Sequence, residues 1–223
     1  MAFKFFRPSG HFTNISFAAT ALALAVCMAV TARADTIDIV GFGDSLMAGY
    51  NLGPDEGFPE QLEDALRAEG YDVAIANAGV SGDTSSGGLS RLEWSVPETA
   101  DIVLVELGAN DMLRGIPPAS TEQNLDRMIA MLKERGQHVI LAGMLAAPNL
   151  GEDYAAAFNP IFPALAEKHE IPLIPFFLDV VAAEPALLLE DGMHPNAAGV
   201  ARMVERILPI VREVIDEHQK EDT

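Results

Sequence analysis

Short apolar runs alternate with amphipathic segments along most of the chain, from position 36 onward. Five runs rich in aliphatic and β-branched residues predict strands at 36–42, 73–76, 101–107, 138–144 and 172–176. Apolar residues at helical spacing predict helices at 58–68, 85–95, 121–134, 153–169 and 196–217, with Pro160 and Pro163 bending or splitting the fourth. Residues 218–223 are predicted to be a solvated tail. This alternation predicts an α/β fold, in which a five-stranded parallel sheet lies between two layers of helices.

The first 34 residues have a different pattern. Lys4 and Arg7 give a positive start, an apolar run covers 15–30, and Ala32-Arg33-Ala34 ends it with an A-x-A cleavage signal. At ~1.5 Å per residue the run spans about 24 Å of helix, which is short of the ~30 Å hydrocarbon core of a bilayer. We therefore predict that residues 1–34 are a secretory signal peptide.

An uncleaved anchor and a lipoprotein signal at Cys27 are the alternatives for this segment. The run is short for an anchor, and Val26 precedes Cys27 where a lipoprotein signal needs a small residue. Cleavage before Asp35 leaves one domain at 35–223, exported to the periplasm or secreted and without a membrane anchor. We expect this domain to be a monomer.

Charge and cysteine content exclude several classes of protein. The chain of 223 residues carries 14 Lys and Arg against 33 Asp and Glu, a net charge of −19, and its pI is about 4.4. An acidic chain disfavours nucleic acid and anionic membranes as partners, because phosphate contacts need a basic face. Cys27 is the single cysteine, which excludes an internal disulfide. Because H-E-x-x-H, P-loop and complete dinucleotide-binding motifs are missing from the sequence, we expect no metal and no cofactor.

Three short motifs follow predicted strands. Gly43-Asp44-Ser45-Leu46 follows the first strand, where a serine at a tight turn can present its hydroxyl above the sheet. Gly79 follows the second strand, and a glycine there lets a backbone N–H approach a ligand closely. Asn110 follows the third strand in Gly108-Ala109-Asn110-Asp111, and its amide can bind a developing oxyanion. Taken singly, each motif is also typical of an ordinary turn.

A fourth motif, Asp191-Gly192-Met193-His194, places a carboxylate three residues from an imidazole. Asp191 can accept the Nδ1–H of His194 and leave Nε2 free as a base. The alternative is a surface aspartate next to a partly buried histidine. Together the four motifs supply a nucleophile, oxyanion donors and an oriented base, which are the parts needed for acyl transfer.

With these motifs in this order, the chain resembles the SGNH-hydrolase (GDSL esterase/lipase) superfamily over nearly all of 35–223. The stretches Ser81-Gly82-Asp83-Thr84-Ser85 and Thr121-Glu122-Gln123 are similar to the bacterial periplasmic thioesterase, lysophospholipase and arylesterase group. The resemblance implies a flavodoxin-like three-layer fold and an esterase that acts through an acyl-enzyme. Ala109 stands where close relatives have glycine, so its methyl group is expected beside the oxyanion hole.

The resemblance also implies a role for each motif. Ser45 is the implied nucleophile, His194 the implied base and Asp191 the acid that orients it. The implied oxyanion hole consists of the Ser45 and Gly79 N–H groups and the Asn110 side chain.

Apolar loops flank the predicted site; they can wall a groove for an acyl chain, and the alternative is that they simply pack onto the core. The candidate substrate-binding residues are Leu46, Met112, Leu113, Arg114, Ile116, Leu145 and Met193. Because residues 1–34 hold three basic residues and no acidic ones, the mature domain carries −22, which disfavours polyanionic acyl-CoA. Aryl esters, short acyl esters and lysophospholipids are therefore the predicted substrates. The alternatives are a carbohydrate acetylesterase, for which one Trp and three Tyr offer few stacking surfaces, and a non-catalytic lipid or glycan carrier on the same fold.

Overall fold

The apolar runs form a five-stranded parallel sheet in the computed structural model, which describes residues 1, 2, 4 and 36–221. The strands are β1 (Ile37–Gly43), β2 (Val73–Gly79), β3 (Ile102–Glu106), β4 (His138–Ala142) and β5 (Leu173–Ile174). Their order across the sheet is β2-β1-β3-β4-β5, and every neighbouring pair is parallel. This is the flavodoxin-like order, in which the chain changes direction across the sheet between β1 and β3.

The described residues contain eight α-helices. They are α1 (Ser45–Ala48), α2 (Phe58–Ala68), α3 (Ser85–Ser95), α4 (Ala109–Leu113), α5 (Pro118–Glu134), α6 (Glu152–Phe158), α7 (Ile161–His169) and α8 (Ala197–Glu221). The helices α2 and α8 pack together, and α3, α5 and α7 pack in succession as a second group. The predicted three-layer α/β architecture is confirmed.

The central strands explain the strongest apolar runs in the sequence. All five residues of β3 are buried, and β1 is buried at every position except Asp38. A strand covered by helices on both faces has no solvent-facing side, so its sequence is continuously apolar rather than alternating. Phe42, Phe58 and Phe162 are among the largest side chains that are fully buried in the core.

The strand order determines where a ligand can bind. In an open parallel sheet, the helices that follow neighbouring strands on either side of the switch point diverge and leave a crevice at the carboxyl ends. Here β1 pairs with β2 on one side and with β3 on the other. The residues after Gly43 and after Glu106 therefore face one crevice, and these residues contain the first and third motifs.

Two predicted helices differ from those in the structure. The helix expected at 121–134 begins three residues earlier at Pro118, and Thr121 is buried with its Oγ1 donating to Asp111 Oδ1. The segment 153–169 splits at Pro160, which has no N–H to continue α6. Pro163 is tolerated because it lies in the first turn of α7, where the N–H groups have no helical acceptor.

The predicted tail is wrong for its described part. Helix α8 continues through Pro209 and ends at Glu221. Within it, His218 Nε2 lies 3.7 Å from Asp101 Oδ1, and its ring lies edge-on to His138 with 5.2 Å between the centroids. These contacts with the start of the sheet hold the last turns of the helix against the domain.

The predicted signal peptide lies almost entirely outside the described residues, and the contacts divide the chain between Ala34 and Asp35. Within the described part of the chain, no helix combines the length and the apolar character that a membrane span requires.

Candidate active site

The turn after β1 presents Ser45 at the crevice. Asp44 caps the short helix α1 by accepting the Leu46 N–H at 3.0 Å, and Ser45 is the first helical residue. Its own N–H therefore has no acceptor within the helix. Gly43 is required at this point, because a Cβ there would lie 2.6 Å from Glu106 Oε2. Close approach of β1 to β3 thus sets the position of the serine.

Ser45, His194 and Asp191 form a hydrogen-bonded chain. His194 Nε2 lies 2.8 Å from Ser45 Oγ, and His194 Nδ1 lies 2.7 Å from Asp191 Oδ2. The other Asp191 oxygen accepts the backbone N–H groups of His194 and Met193 at 3.0 and 2.9 Å. These backbone donors, together with the imidazole, lower the pKa of Asp191 to about 2. The carboxylate therefore stays ionised and accepts from Nδ1.

The loop that carries His194 is held at both ends. Leu189 N–H donates to His194 C=O at 2.7 Å, and Gly192 adopts a positive φ of 69° in the turn between them. Asn196 caps α8 by accepting the Gly199 N–H at 3.0 Å. The imidazole also packs against the ring of Tyr50, at 4.5 Å between centroids. The sequence analysis missed Tyr50, which follows the nucleophile turn by five residues.

Asn110 enters the crevice from the start of α4. Its Nδ2 donates to Asp44 Oδ2 at 2.8 Å, which fixes the amide with its nitrogen towards the nucleophile turn. One Nδ2 hydrogen is used in this bond and the second remains as a donor. Ala109 lines the same cavity, so its methyl group does lie beside the site.

The structure corrects the role expected for Gly79. Strand β2 continues three residues beyond the predicted end at Ala76, so Gly79 is still part of the sheet. Its N–H donates to Asn77 Oδ1 at 3.0 Å, and a Cβ there would lie 2.2 Å from the backbone N of Ala48. This glycine allows close packing of β2 against α1, and it does not line the cavity beside Ser45.

Gly82 is the glycine that lines this cavity. It has a φ of 82°, and its N–H has no hydrogen-bond acceptor among the described residues. Its carbonyl accepts a hydrogen bond from Arg114 Nη2 at 2.6 Å. Arg114 therefore contacts this loop instead of lining the cavity. The signal in the sequence was the Ser81-Gly82-Asp83 stretch, in which Gly82 lies three residues beyond Gly79.

A buried arginine joins the ends of β1 and β2, and sequence reasoning missed it. Arg91, on α3, donates to the carbonyls of Gly43 and Ala78 at 2.9 and 2.8 Å and forms an ion pair with Asp83 at 2.7 Å. Its guanidinium also lies 4.1 Å above the Phe42 ring. These contacts fix the nucleophile turn and the Gly82 loop relative to each other.

The cavity beside Ser45 has a volume of about 480 Å³ and a mostly apolar lining. Four of the seven candidate substrate-binding residues line it, namely Leu46, Met112, Leu113 and Met193. Ile116, Leu145 and Arg114 do not, although Leu145 is exposed next to the lining residue Met144. The lining residues that the sequence analysis missed include Tyr50, Ala147, Leu178, Ala182 and Leu188. They come from loops far apart in the chain.

No lysine or arginine lines this cavity among the described residues, and the same part of the chain has no cluster of His, Cys, Asp and Glu that could hold a metal ion. The lining residues with polar side chains are Asp44, Ser45, Tyr50, Ser81, Asn110 and His194. The arrangement fits the attack of a hydroxyl on a neutral carbonyl compound.

Comparison with known proteins agrees with this geometry. The model of the GDSL-like lipase/acylhydrolase family matches residues 42–202. An arylesterase of Vibrio mimicus is 41% identical over 176 residues, which cover 78% of this chain and 88% of the relative. A thioesterase 1/protease 1/lysophospholipase L1 of Escherichia coli is 39% identical over 166 residues, with 74% and 77% covered. The crystal structure of TesA has a TM-score of 0.75 at 37% identity and covers 79% of this chain and 99% of its own. The chain therefore belongs to the GDSL-like lipase/acylhydrolase family, and it is a serine hydrolase of ester bonds.

Proposed function

We propose that the enzyme hydrolyses neutral or zwitterionic acyl esters through an acyl-enzyme on Ser45, with His194 as general base and Asp191 as the orienting acid. The hydrogen-bonded chain from Ser45 Oγ through both ring nitrogens of His194 to Asp191 is the observation that carries this proposal. Ser45 Oγ attacks the ester carbonyl while Nε2 takes its proton. The imidazolium then protonates the leaving alcohol or thiol, and water repeats the sequence to release the acid.

The tetrahedral intermediate needs donors for its oxyanion. Three groups around the cavity supply them in this proposal: the Ser45 N–H, the Gly82 N–H and the second Nδ2 hydrogen of Asn110. The first lies at the start of a helix and the second has no other acceptor among the described residues. Donors held in place before the reaction stabilise the developing charge without reorganisation.

Replacing Asn110 with alanine is expected to lower kcat by about 10²–10³-fold with little change in KM, because the lost donor acts on the transition state. Steady-state kinetics on a p-nitrophenyl ester measure this. Asn77→Ala is the matched control, since it removes an exposed amide whose partners, the Gly79 N–H and Glu60 Oε1, lie outside the cavity. Wild-type kcat in Asn110→Ala, together with a large loss in Asn77→Ala, would show that the oxyanion donors are assigned incorrectly.

The cavity and the charge support the substrate class. An apolar lining without lysine or arginine among the described residues suits an acyl or aryl group and supplies no cation to balance the several phosphates of an acyl-CoA. The net charge of −19, or −22 for residues 35–223, opposes the approach of a polyanion. Arg114, an exposed basic residue close to the motifs, already donates to the Gly82 carbonyl. Turnover of purified protein on p-nitrophenyl esters, lysophospholipids and acyl-CoAs tests this order of preference, in which acyl-CoAs come last.

Salt is expected to affect these substrates differently. The Debye length falls from about 30 Å at 0.01 M to about 10 Å at 0.1 M ionic strength, so repulsion of acyl-CoA is screened over this range. We expect kcat/KM for an acyl-CoA to rise by about tenfold, and that for a neutral p-nitrophenyl ester to stay nearly constant. A fall in the acyl-CoA value with salt would mean that the site attracts polyanions, and it would overturn the substrate order.

We also infer that residues 1–34 are removed on export and that the mature enzyme is a monomer in the periplasm or outside the cell. The positive start, the apolar run and the A-x-A signal support the removal of residues 1–34 and export. Intact-mass measurement on protein from the periplasmic fraction is expected to give Asp35 as the first residue. A mass that retains Met1, or a lipid attached to Cys27, would contradict it.

A further inference from the structure

A second carboxyl group lies directly beneath the nucleophile turn. Glu106 is the last residue of β3 and is 1% exposed, and its Oε2 accepts the Asp44 N–H at 3.2 Å. Its Oε1 is buried without a hydrogen-bond partner among the described residues. An unpartnered oxygen in a fully buried carboxylate costs free energy, and Gly43 lacks the side chain that would occupy the same space. The fold therefore makes room for a group that destabilises it when ionised.

Glu106 connects to the oxyanion donor through Asp44. The Asp44 side chain is completely buried, and its two oxygens accept from the Leu46 N–H at 3.0 Å and from Asn110 Nδ2 at 2.8 Å. Glu106 thus meets Asp44 at its backbone N–H, and the Asp44 carboxylate holds the side chain proposed to bind the oxyanion.

The charges around this pair favour one proton between the two carboxyls. His194 and Asp44 line the same cavity, and the guanidinium of Arg91 is already bonded to the Gly43 carbonyl and to Asp83. Burial, and then the charge of Asp44, raise the pKa of Glu106 well above its usual range. Burial also raises the pKa of Asp44, although hydrogen bonds from Leu46, Asn110 and Glu106 oppose the rise. A neutral Glu106 gains an O–H donor and removes the repulsion between two buried anions.

We propose that Glu106 is a positioning residue which, as a neutral carboxylic acid, hydrogen-bonds the Asp44 carboxylate and through it keeps the Asn110 amide oriented as an oxyanion donor. This proposal rests on the proposed function of Asn110. The Asn110 amide has a donor end and an acceptor end of the same shape. An anionic Asp44 accepts strongly from the nitrogen, so that the donor end stays next to the nucleophile. With the pair disturbed, the amide can turn and present its oxygen, which repels an oxyanion.

The test is a double-mutant cycle on kcat with Glu106→Met and Asn110→Ala. Alone, Glu106→Met is expected to lower kcat at least tenfold with KM nearly constant, and Glu106→Gln, which keeps a neutral donor, is expected to lower it less than about threefold. In the Asn110→Ala background, Glu106→Met should cost less than about threefold, because the group on which it acts is gone. Gln137→Met is the matched control, since Gln137 is also buried with an unpartnered Oε1 but lies outside the site.

Each outcome of the cycle either supports or refutes the positioning role of Glu106. Equal losses from Glu106→Met in both backgrounds would mean that Glu106 is merely structural, and wild-type kcat in Glu106→Met would refute its role. If Asn110→Ala itself has wild-type kcat, the oxyanion assignment fails instead. Infrared spectra give an independent check if Glu106→Met does not fold. The wild-type enzyme at pH 7 should show the C=O stretch of a buried protonated carboxyl, and Glu106→Gln should lose it. The lack of this band in the wild type would overturn the proposal.

Discussion

Replacing Ser45 with alanine is expected to lower kcat by about 10⁶-fold while the protein stays folded. The Ser45 hydroxyl is bonded to His194 at the edge of an open cavity, so its removal leaves neither a packing defect nor a buried polar group without a partner. Hydrolysis of a p-nitrophenyl ester measures the loss, and circular dichroism with a melting temperature checks the fold. A fluorophosphonate probe should label the wild type on Ser45 and leave Ser45→Ala unlabelled.

Ser90→Ala is the control for this experiment. Ser90 lies on α3 outside the cavity, and its hydroxyl donates to the backbone carbonyl of Ser86. Its replacement should leave activity and labelling unchanged. Activity of folded Ser45→Ala within tenfold of the wild type would end the proposed mechanism, and so would labelling at a different serine.

Replacing Asp191 with asparagine is expected to lower kcat by about 10⁴-fold, the second largest effect. The carboxylate accepts a hydrogen bond from the Nδ1–H of His194 and so leaves Nε2 free to accept from Ser45. An asparagine amide can donate to Nδ1 instead. This favours the tautomer of His194 that carries its proton on Nε2, and a protonated Nε2 cannot accept the proton of Ser45.

The pKa of Asp191 also predicts a pH dependence. The lowered value of about 2 means that the carboxylate keeps its charge as pH falls from 7 to 4. Any loss of kcat/KM in that range therefore comes from the protonation of another group. A plot of log kcat/KM against pH should have a slope of one on its acid side. Asp179→Asn, at an exposed ion pair with Arg206, is the control for a lost surface carboxylate. A slope of two, or activity of Asp191→Asn within tenfold of the wild type, would contradict the assigned role.

The sequence predicted the site best where the contacts are local. Asp191 and His194 are three residues apart across a glycine turn, and their hydrogen bond depends on little else. The cap that Asn196 gives to α8 is equally local, since its partner is the Gly199 N–H three residues on. The choice of Gly79 failed because it depended on where β2 ends. With the strand three residues longer, Gly79 remains in the sheet and Gly82 lies at the cavity.

The sequence by itself determined the fold class, the succession of strands and helices along the chain, and the nucleophile, base and acid that we propose. It could do so because a strand buried on both faces must be apolar throughout, while caps and turns are set within a few residues. The tertiary structure alone decided which distant groups meet. The order of the strands brings Ser45 to His194 across 149 residues, places Arg91 across the ends of two strands, and buries Glu106 under the nucleophile turn. Such contacts depend on the order of the strands across the sheet and on the exact residue where each strand ends. No local pattern of hydrophobic and polar positions encodes either.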